Sequence, residues 1–354
     1  MNPRQMTYAQ AINEALDLAL GVDPNVLCFG LGVPDPKGVF GTTKGLQKKY
    51  GPARVFDMPT SENGMTGIGI GAALSGMRPV MTHQRLDFFL LAMDQLVNNA
   101  AKWHYMFGGK SSVPLTIRLI LGRGWGQGPT HSQNLQSWFA HIPGLKVVMP
   151  ATPEDAKGLL LEGIFDPNPV IFMEHRWLHN TLGDVPDGDF RIPLGKARVI
   201  REGKDLTVVA MSTFVPEACR AAVYLSDNGI DCDIIDLRSL SPIDWHTIYD
   251  SVNKTGQLLV LDTGSMSHSV SAEIVAKVST ECWSALKFAP QRIAMPDIPV
   301  PTSFALTRGL YPGMEEIVLT AGKMLKRTLQ IEENQFSGTT DFHDVPGAWF
   351  NGPF

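Results

Sequence analysis

The sequence predicts an α/β protein of two domains, each a mostly parallel sheet flanked by helices. Three observations carry that reading. Short, nearly continuous apolar runs alternate with longer amphipathic ones, as strands buried on both faces alternate with crossover helices. The alternation occurs twice, on either side of a stretch rich in Gly, Pro and charge. The chain has 354 residues, more than one core usually holds.

In the first half, NVLCFG (25–30), RPVMTH (78–83), PLTIRLIL (114–121), LKVVMP (145–150) and PVIFME (169–174) read as strands. A helix opens at Thr7, in TYAQAINEALDLAL. A second runs through DFFLLAMDQLVNNAAKWHYMF (87–107). A third, TPEDAKGLLLEGIF, has Thr152 as its cap, Pro153 at the first helical position and acids in its first turn. Residues 178–205 break the rhythm. We place a first domain over 1–180, a linker over 181–205 and a second domain over 206–335. In the second domain DLTVVAMS, IDCDIIDL, QLLVLDTG and RIAMPD read as strands. VPEACRAAVYLSDNG, DWHTIYDSVNKTG, SVSAEIVAKVSTECW and MEEIVLTAGKMLKRTL read as helices. Residues 336–354 form an extended tail whose aromatics are costly to leave in water. The tail is expected to lie against another surface.

Composition narrows the function classes. A net charge of -5 gives no reason to expect nucleic acid or an anionic membrane as partner. No apolar run approaches the roughly 20 residues that span a bilayer. The N-terminus has neither a secretory apolar region nor an Arg/Ser-rich transit character. Cys28, Cys219, Cys232 and Cys282 are far apart and form no CxxC pair. Free thiols in the cytoplasm are the expectation. There is no His/Cys cluster with zinc spacing, no GxSxG elbow and no P-loop.

Two segments stand out. In PTSENGMTGIGIGAALSGMRPV (59–80), Glu62 opens a helix punctuated by Gly64, Gly67, Gly69, Gly71 and Gly76. The helix dipole alone favours an acid there. The glycines need more, because each costs a helix about 1 kcal/mol relative to alanine. Close approach of another helix or a ligand offsets that cost. In GRGWGQGPTHSQNLQSWFAHIPGLKVV (122–148), a glycine-rich loop leads to His131. It lacks the dinucleotide fingerprint with its downstream acid. An imidazole held beside such a loop can donate or accept a proton near neutral pH.

Together with AMDQLVNNAAKWHYMFGG and DLTVVAMSTFVPEACRAAVYLSDNGIDCDIIDLRSLSPID, these strings resemble the beta subunits of 2-oxo acid dehydrogenases. That group covers the pyruvate, branched-chain and acetoin enzymes of the transketolase superfamily. The resemblance covers about residues 5–325. It implies a pyrimidine-binding domain followed by a transketolase C-terminal domain, with thiamine diphosphate as cofactor. Glu62 stands where the family's glutamate meets the aminopyrimidine ring, and His131 matches the active-site histidine. Phe88 matches an aromatic near the pyrimidine, and Gln84 lies in the same region. Some members hold a structural potassium ion, and the matching positions are Leu115, Gly163, Ile164, Asp166 and Asn168. The superfamily's diphosphate–magnesium motif, GDG followed by Asn, does not occur; Asp187-Gly188-Asp189 has the wrong order. The resemblance therefore implies an alpha subunit that carries the motif and most of the magnesium site, in an α2β2 heterotetramer. A lipoyl acyltransferase is a further implied partner.

The chain also departs from the family pattern. Where pyruvate-type members read roughly CEFMTFNF, this chain reads MTHQRLDF. Thr82 replaces an acid, and His83, Gln84 and Arg85 add polarity near the expected substrate. Ser269 and Ser271 replace glycines. The segment TSFALTRGLYPG is altered where relatives dock a carrier protein. Three readings stay open: a dehydrogenase beta subunit; a carboligase or transketolase-like biosynthetic enzyme in which His83 and Arg85 bind substrate; and a non-catalytic assembly subunit.

Overall fold

In a computed structural model, the residues described are 4–122, 126–329, 331, 345, 349, 350 and 352. The strands of the first half are β1 (Arg4–Thr7), β2 (Val26–Gly30), β3 (Val55–Asp57), β4 (Arg78–His83), β5 (Thr116–Leu121), β6 (Lys146–Val148), β7 (Val170–His175) and β8 (Leu182–Val185). Those of the second are β9 (Arg198–Arg201), β10 (Leu206–Ala210), β11 (Cys232–Asp236), β12 (Ser239–Ser241), β13 (Leu258–Ser265) and β14 (Gln291–Met295). One sheet has the order β12-β6-β7-β5-β4-β2-β3 and another the order β14-β13-β10-β11-β9. Both are parallel except at one edge, where β12 and β9 run antiparallel to their neighbours. Every residue of β5, β7, β10 and β11 is buried, as in strands covered on both faces, although Arg118, Glu174, His175, Asp233 and Asp236 interrupt their apolar runs.

The helices are α1 (Tyr8–Val22), α2 (Leu46–Tyr50), α3 (Glu62–Leu74), α4 (Leu86–Phe89), α5 (Ala101–Met106), α6 (Gln136–Ala140), α7 (Pro153–Phe165), α8 (Phe214–Asp227), α9 (Trp245–Thr255), α10 (Val270–Glu281) and α11 (Met314–Met324). Thr7 and Gln10 form a reciprocal capping box at α1. Thr152 caps α7 by accepting from Asp155 N. Helices α1 and α7 cover one face of the first sheet. The other face joins a core that continues through Val209, Ile235 and Val260 of the second sheet.

Two expectations change. The stretch 181–205 is not a bare linker: β8 pairs with β1, and β9 forms an edge of the second sheet. Residues 87–107 are not one regular helix. A 3-10 turn at Leu90–Ala92 and a π-helical stretch at Gln95–Ala100 separate α4 from α5. This run packs on α3, where a Cβ at Gly67 would lie 3.8 Å from Gln95 Oε1.

The tail lies mostly outside the described residues. Its described part folds back on this chain. The Phe350 ring packs 6.0 Å from that of Trp177, and Trp349 Nε1 donates to Glu217 Oε1. No helix among the described residues is long and apolar enough to cross a membrane.

Candidate active site

In a parallel sheet, the loops leaving the carboxyl ends of the strands are where ligands bind. The chain leaving β3 enters α3 at Glu62. The chain leaving β4 carries Gln84 and Arg85 into α4, and β5 feeds the glycine-rich loop before His131. All the predicted catalytic and cofactor residues therefore lie at one edge of the first sheet.

Glu62 is the first helical residue of α3 and only 6% exposed. No hydrogen bond or ion pair joins its carboxylate to another described residue. Ser61 makes no side-chain cap either. Its carboxylate oxygens are not among the buried polar atoms left without a partner, so the group stays open at the carboxyl ends of the strands, where a ligand can reach it.

The glycines of α3 divide into two sets. A Cβ on Gly69 would meet Met81 Sδ at 2.7 Å, so this glycine lets the helix sit directly on the sheet. A Cβ on Gly71 would meet nothing within 4 Å, and its face also exposes Ile68 (56%).

Helix α4 places the Phe88 ring edge-on to His131, with centroids 5.2 Å apart and an interplanar angle of 89°. Phe88 keeps 37% of its surface exposed. Next to it, Asp87 accepts hydrogen bonds from Gln133 N (3.3 Å) and Gln133 Nε2 (2.8 Å). This clasp fixes the His131 loop to α4, across 46 residues of sequence. His131 Nδ1 lies 3.0 Å from Thr130 Oγ1. Farther along, Gln136 Nε2 donates to Asp262 Oδ1 at 2.7 Å, and Asp262 also accepts from Gly264 N and Ser271 N. The second domain thereby anchors the helix that follows His131. Sequence reading missed both Asp87 and Asp262. An acid beside Phe88 was visible, but nothing local marks its partner.

His83 does not line the site. It is 1% exposed, its ring lies edge-on to Phe89, and neither ring nitrogen has a partner. Burial pushes it down to about 3, so it stays neutral. Its place in the core corrects the expectation of a substrate contact. Arg85 is also buried, but it reaches the loop: it donates to Gly122 O at 2.9 Å and to Gln127 Oε1. Gln84 is half-buried and packs against Gly32 at the end of β2.

Four of the five positions expected at a cation site lie where β5 and β7 begin and α7 ends. Thr116 Oγ1 donates to Gly163 O at 3.0 Å, and Val170 N to Leu115 O at 3.0 Å. Asn168 N donates to Asp166 Oδ1 at 2.8 Å, and Lys146 Nζ pairs with Asp166 Oδ2. Asn168 Oδ1 is buried without a partner, and Ile164 is a core residue of α7. Elsewhere, Asp187 pairs with Arg4 at 3.2 Å and Asp189 with Arg191 at 3.1 Å.

Comparison with known proteins places these features. Residues 4–180 match the transketolase pyrimidine-binding domain, and residues 195–317 match the transketolase C-terminal domain. The chain is 42% identical over 333 residues to the acetoin:2,6-dichlorophenolindophenol oxidoreductase subunit beta of Cupriavidus necator, covering 91% of this chain and 98% of that protein. It is 42% identical over 330 residues to the mitochondrial pyruvate dehydrogenase E1 component subunit beta-1 of Oryza sativa subsp. japonica, covering 92% and 88%. A solved split-gene transketolase, described as an inactive beta4 tetramer, shares the fold with a TM-score of 0.74 at 21% identity, covering 91% and 98%. With both domains matched and this identity held over most of its length, the chain belongs to the pyruvate and acetoin dehydrogenase beta subunits of the transketolase superfamily.

Proposed function

We propose that this chain is the beta subunit of a thiamine-diphosphate-dependent 2-oxo acid dehydrogenase, which releases carbon dioxide and passes an acyl group to a lipoyl carrier. The observation that carries the reading is the carboxylate of the mostly covered Glu62, free of protein partners, at the same end of the sheet as the Phe88–His131 pair. These groups fit an aromatic heterocycle whose ring nitrogen takes a proton.

When bound, thiamine diphosphate supplies a nucleophilic thiazolium carbon. The protein's part is to hold protons and orient groups. The Glu62 carboxyl shares a proton with the ring nitrogen. Phe88 gives the ring an apolar edge. The His131 imidazole, steadied by Phe88 and by the Asp87–Gln133 clasp, moves a proton at the substrate oxygen.

The reading needs a separate alpha subunit for the diphosphate and magnesium, because the chain has no GDG-and-Asn motif, and both acids of its closest string, Asp187-Gly188-Asp189, pair with arginines. The α2β2 heterotetramer and a lipoyl acyltransferase partner belong to this proposal. The Leu115, Gly163, Asp166 and Asn168 oxygens suit a hard cation such as potassium. The cysteines are free, which suits a reducing compartment such as the cytoplasm. A second reading, a carboligase, is supported by Arg85, a charged side chain that the dehydrogenase chemistry does not need.

The test is to co-express the chain with its candidate alpha subunit and screen 2-oxo acids with an artificial electron acceptor. Reduction that depends on thiamine diphosphate is expected. Condensation of a 2-oxo acid with an aldehyde, without reduction, selects the carboligase. An assembled but inert complex contradicts both.

A further inference from the structure

Buried cations are normally paired with carboxylates. Two guanidiniums at the active-site edge of the first sheet are not. Arg85 is 7% exposed, and both its acceptors, Gly122 O and Gln127 Oε1, are neutral. Arg176, at the end of β7, lies 3.9 Å from the centroid of the Phe40 ring and donates to His179 Nδ1 at 2.9 Å. Neither has a carboxylate within ion-pairing distance among the described residues.

The acids nearby are engaged elsewhere. Glu174 Oε1 is held by Arg118 at 2.7 Å and Asp87 Oδ1 by Gln133, while their second oxygens, also buried, pair with neither Arg85 nor Arg176. His175 and His179 are buried and pushed down by that burial, so they stay neutral. Arg85, Arg118 and Arg176 thus face only Asp87 and Glu174, which leaves one positive charge over.

The two guanidiniums belong to one assembly. Arg85 holds Gly122 O, and Gly122, at φ 89°, packs so closely on the His175 ring that no Cβ fits. Arg176 follows His175 in the chain. Burial first, and Arg85 second, push Arg176 down to about 10. Val39 (φ 31°) and Phe40 (φ 59°) take left-handed backbone, a strained conformation for such residues, where the Phe40 ring covers Arg176. The assembly adjoins the catalytic loop: Gln127 precedes Gly128, whose carbonyl accepts from His131 N.

We propose that Arg85 and Arg176 form an oxyanion site that receives a second carboxylate or a phosphate of the substrate, remote from its reacting carbon. The proposal rests on the reading that the His131 loop borders the reaction. It assigns the enzyme a substrate with a second acidic group or a phosphate, rather than a 2-oxo acid with a small uncharged side chain.

The test uses the full-length chain without partner or cofactor. Its melting temperature is measured in phosphate and in succinate, against potassium chloride of equal ionic strength. At tenfold excess over the Kd, a rise of about 2 °C is expected. A larger response to phosphate marks a phosphorylated substrate, and a larger response to succinate a dicarboxylic one. Arg85→Gln and Arg176→Gln are each expected to abolish the rise. If Arg85→Gln does not fold, the half-buried Arg176→Gln decides. Equal melting in both anions and chloride, or a rise kept by a folded variant, overturns the site. That outcome leaves the proposed dehydrogenase standing. Anion binding by a chain whose assembled complex is inert has the reverse meaning.

Discussion

At the scale of single residues, two histidines of the same region have opposite fates. His131 keeps an edge-on aromatic neighbour and a half-exposed ring, while His83 is closed in against Phe89. Removing the first should affect turnover and not folding. In the assembled enzyme, His131→Ala is expected to lower kcat by roughly 10²-fold while cofactor affinity stays near wild type. A matching loss of cofactor affinity would make the residue structural. His83 should behave the other way. Its folded value of about 3 lies below the ordinary 6.5, so unfolding takes up a proton between those pH values. The stability tied to the neutral ring is full above pH 6.5 and is lost as pH falls toward 3. His83→Phe removes that uptake and two unpartnered buried nitrogens. Its stability should exceed wild type by about 1–3 kcal/mol at neutral pH. The advantage should widen by about 1.4 kcal/mol per pH unit in acid. His175 and His179 titrate in both proteins and cancel from the difference. Denaturant curves at pH 7, 6 and 5 measure it, and parallel curves would show that His83 is not held neutral.

At the scale of elements, α3 contains the clearest contrast. Gly69→Ala pushes a methyl against Met81 and should destabilise the chain by about 1–3 kcal/mol. Gly71→Ala meets nothing and should stabilise the isolated chain by about 0.5–1 kcal/mol. If the open face docks a partner, Gly71→Ala should also weaken assembly, as gel filtration of the co-expressed complex can read. Assembly unchanged in Gly71→Ala would show that this glycine faces only water. The same element shows how much the sequence discloses. Glu62 at the mouth of the helix and the unusual glycines were legible because acids and glycines carry local costs. Caps at Thr7 and Thr152 were legible for the same reason. The π-helical turn at Gln95–Ala100 was not, because it depends on how that run lies against α3. Nor was β12: Ser239-Leu240-Ser241 has no strand pattern of its own and is extended only because it pairs with Val147 and Val148. The Asp87–Gln133 clasp and the Arg85–Arg176 assembly also depend on contacts far apart in sequence. Residue types disclosed which groups could react; only the fold discloses what holds them.

At the scale of the whole molecule, the two halves share one core, and the second half contributes an edge strand to the first sheet. The segment around His131 is therefore clasped from both sides, by Asp87 in the first half and by Asp262, through Gln136, in the second. On the proposed function, what this chain brings to a thiamine-diphosphate enzyme is the proton-holding half of the site, centred on Glu62. Whether this carboxyl activates the cofactor is tested by Glu62→Gln, which conserves size. The most direct measurement is proton–deuterium exchange at the thiazolium carbon, followed by quenched-flow NMR in the complex assembled with the alpha subunit. Normal assembly is expected, with exchange slowed by about 10²-fold, equivalent to roughly 2.7 kcal/mol of barrier. Exchange at the wild-type rate in an assembled Glu62→Gln enzyme would contradict it and leave Glu62 as an acid that merely answers the helix dipole.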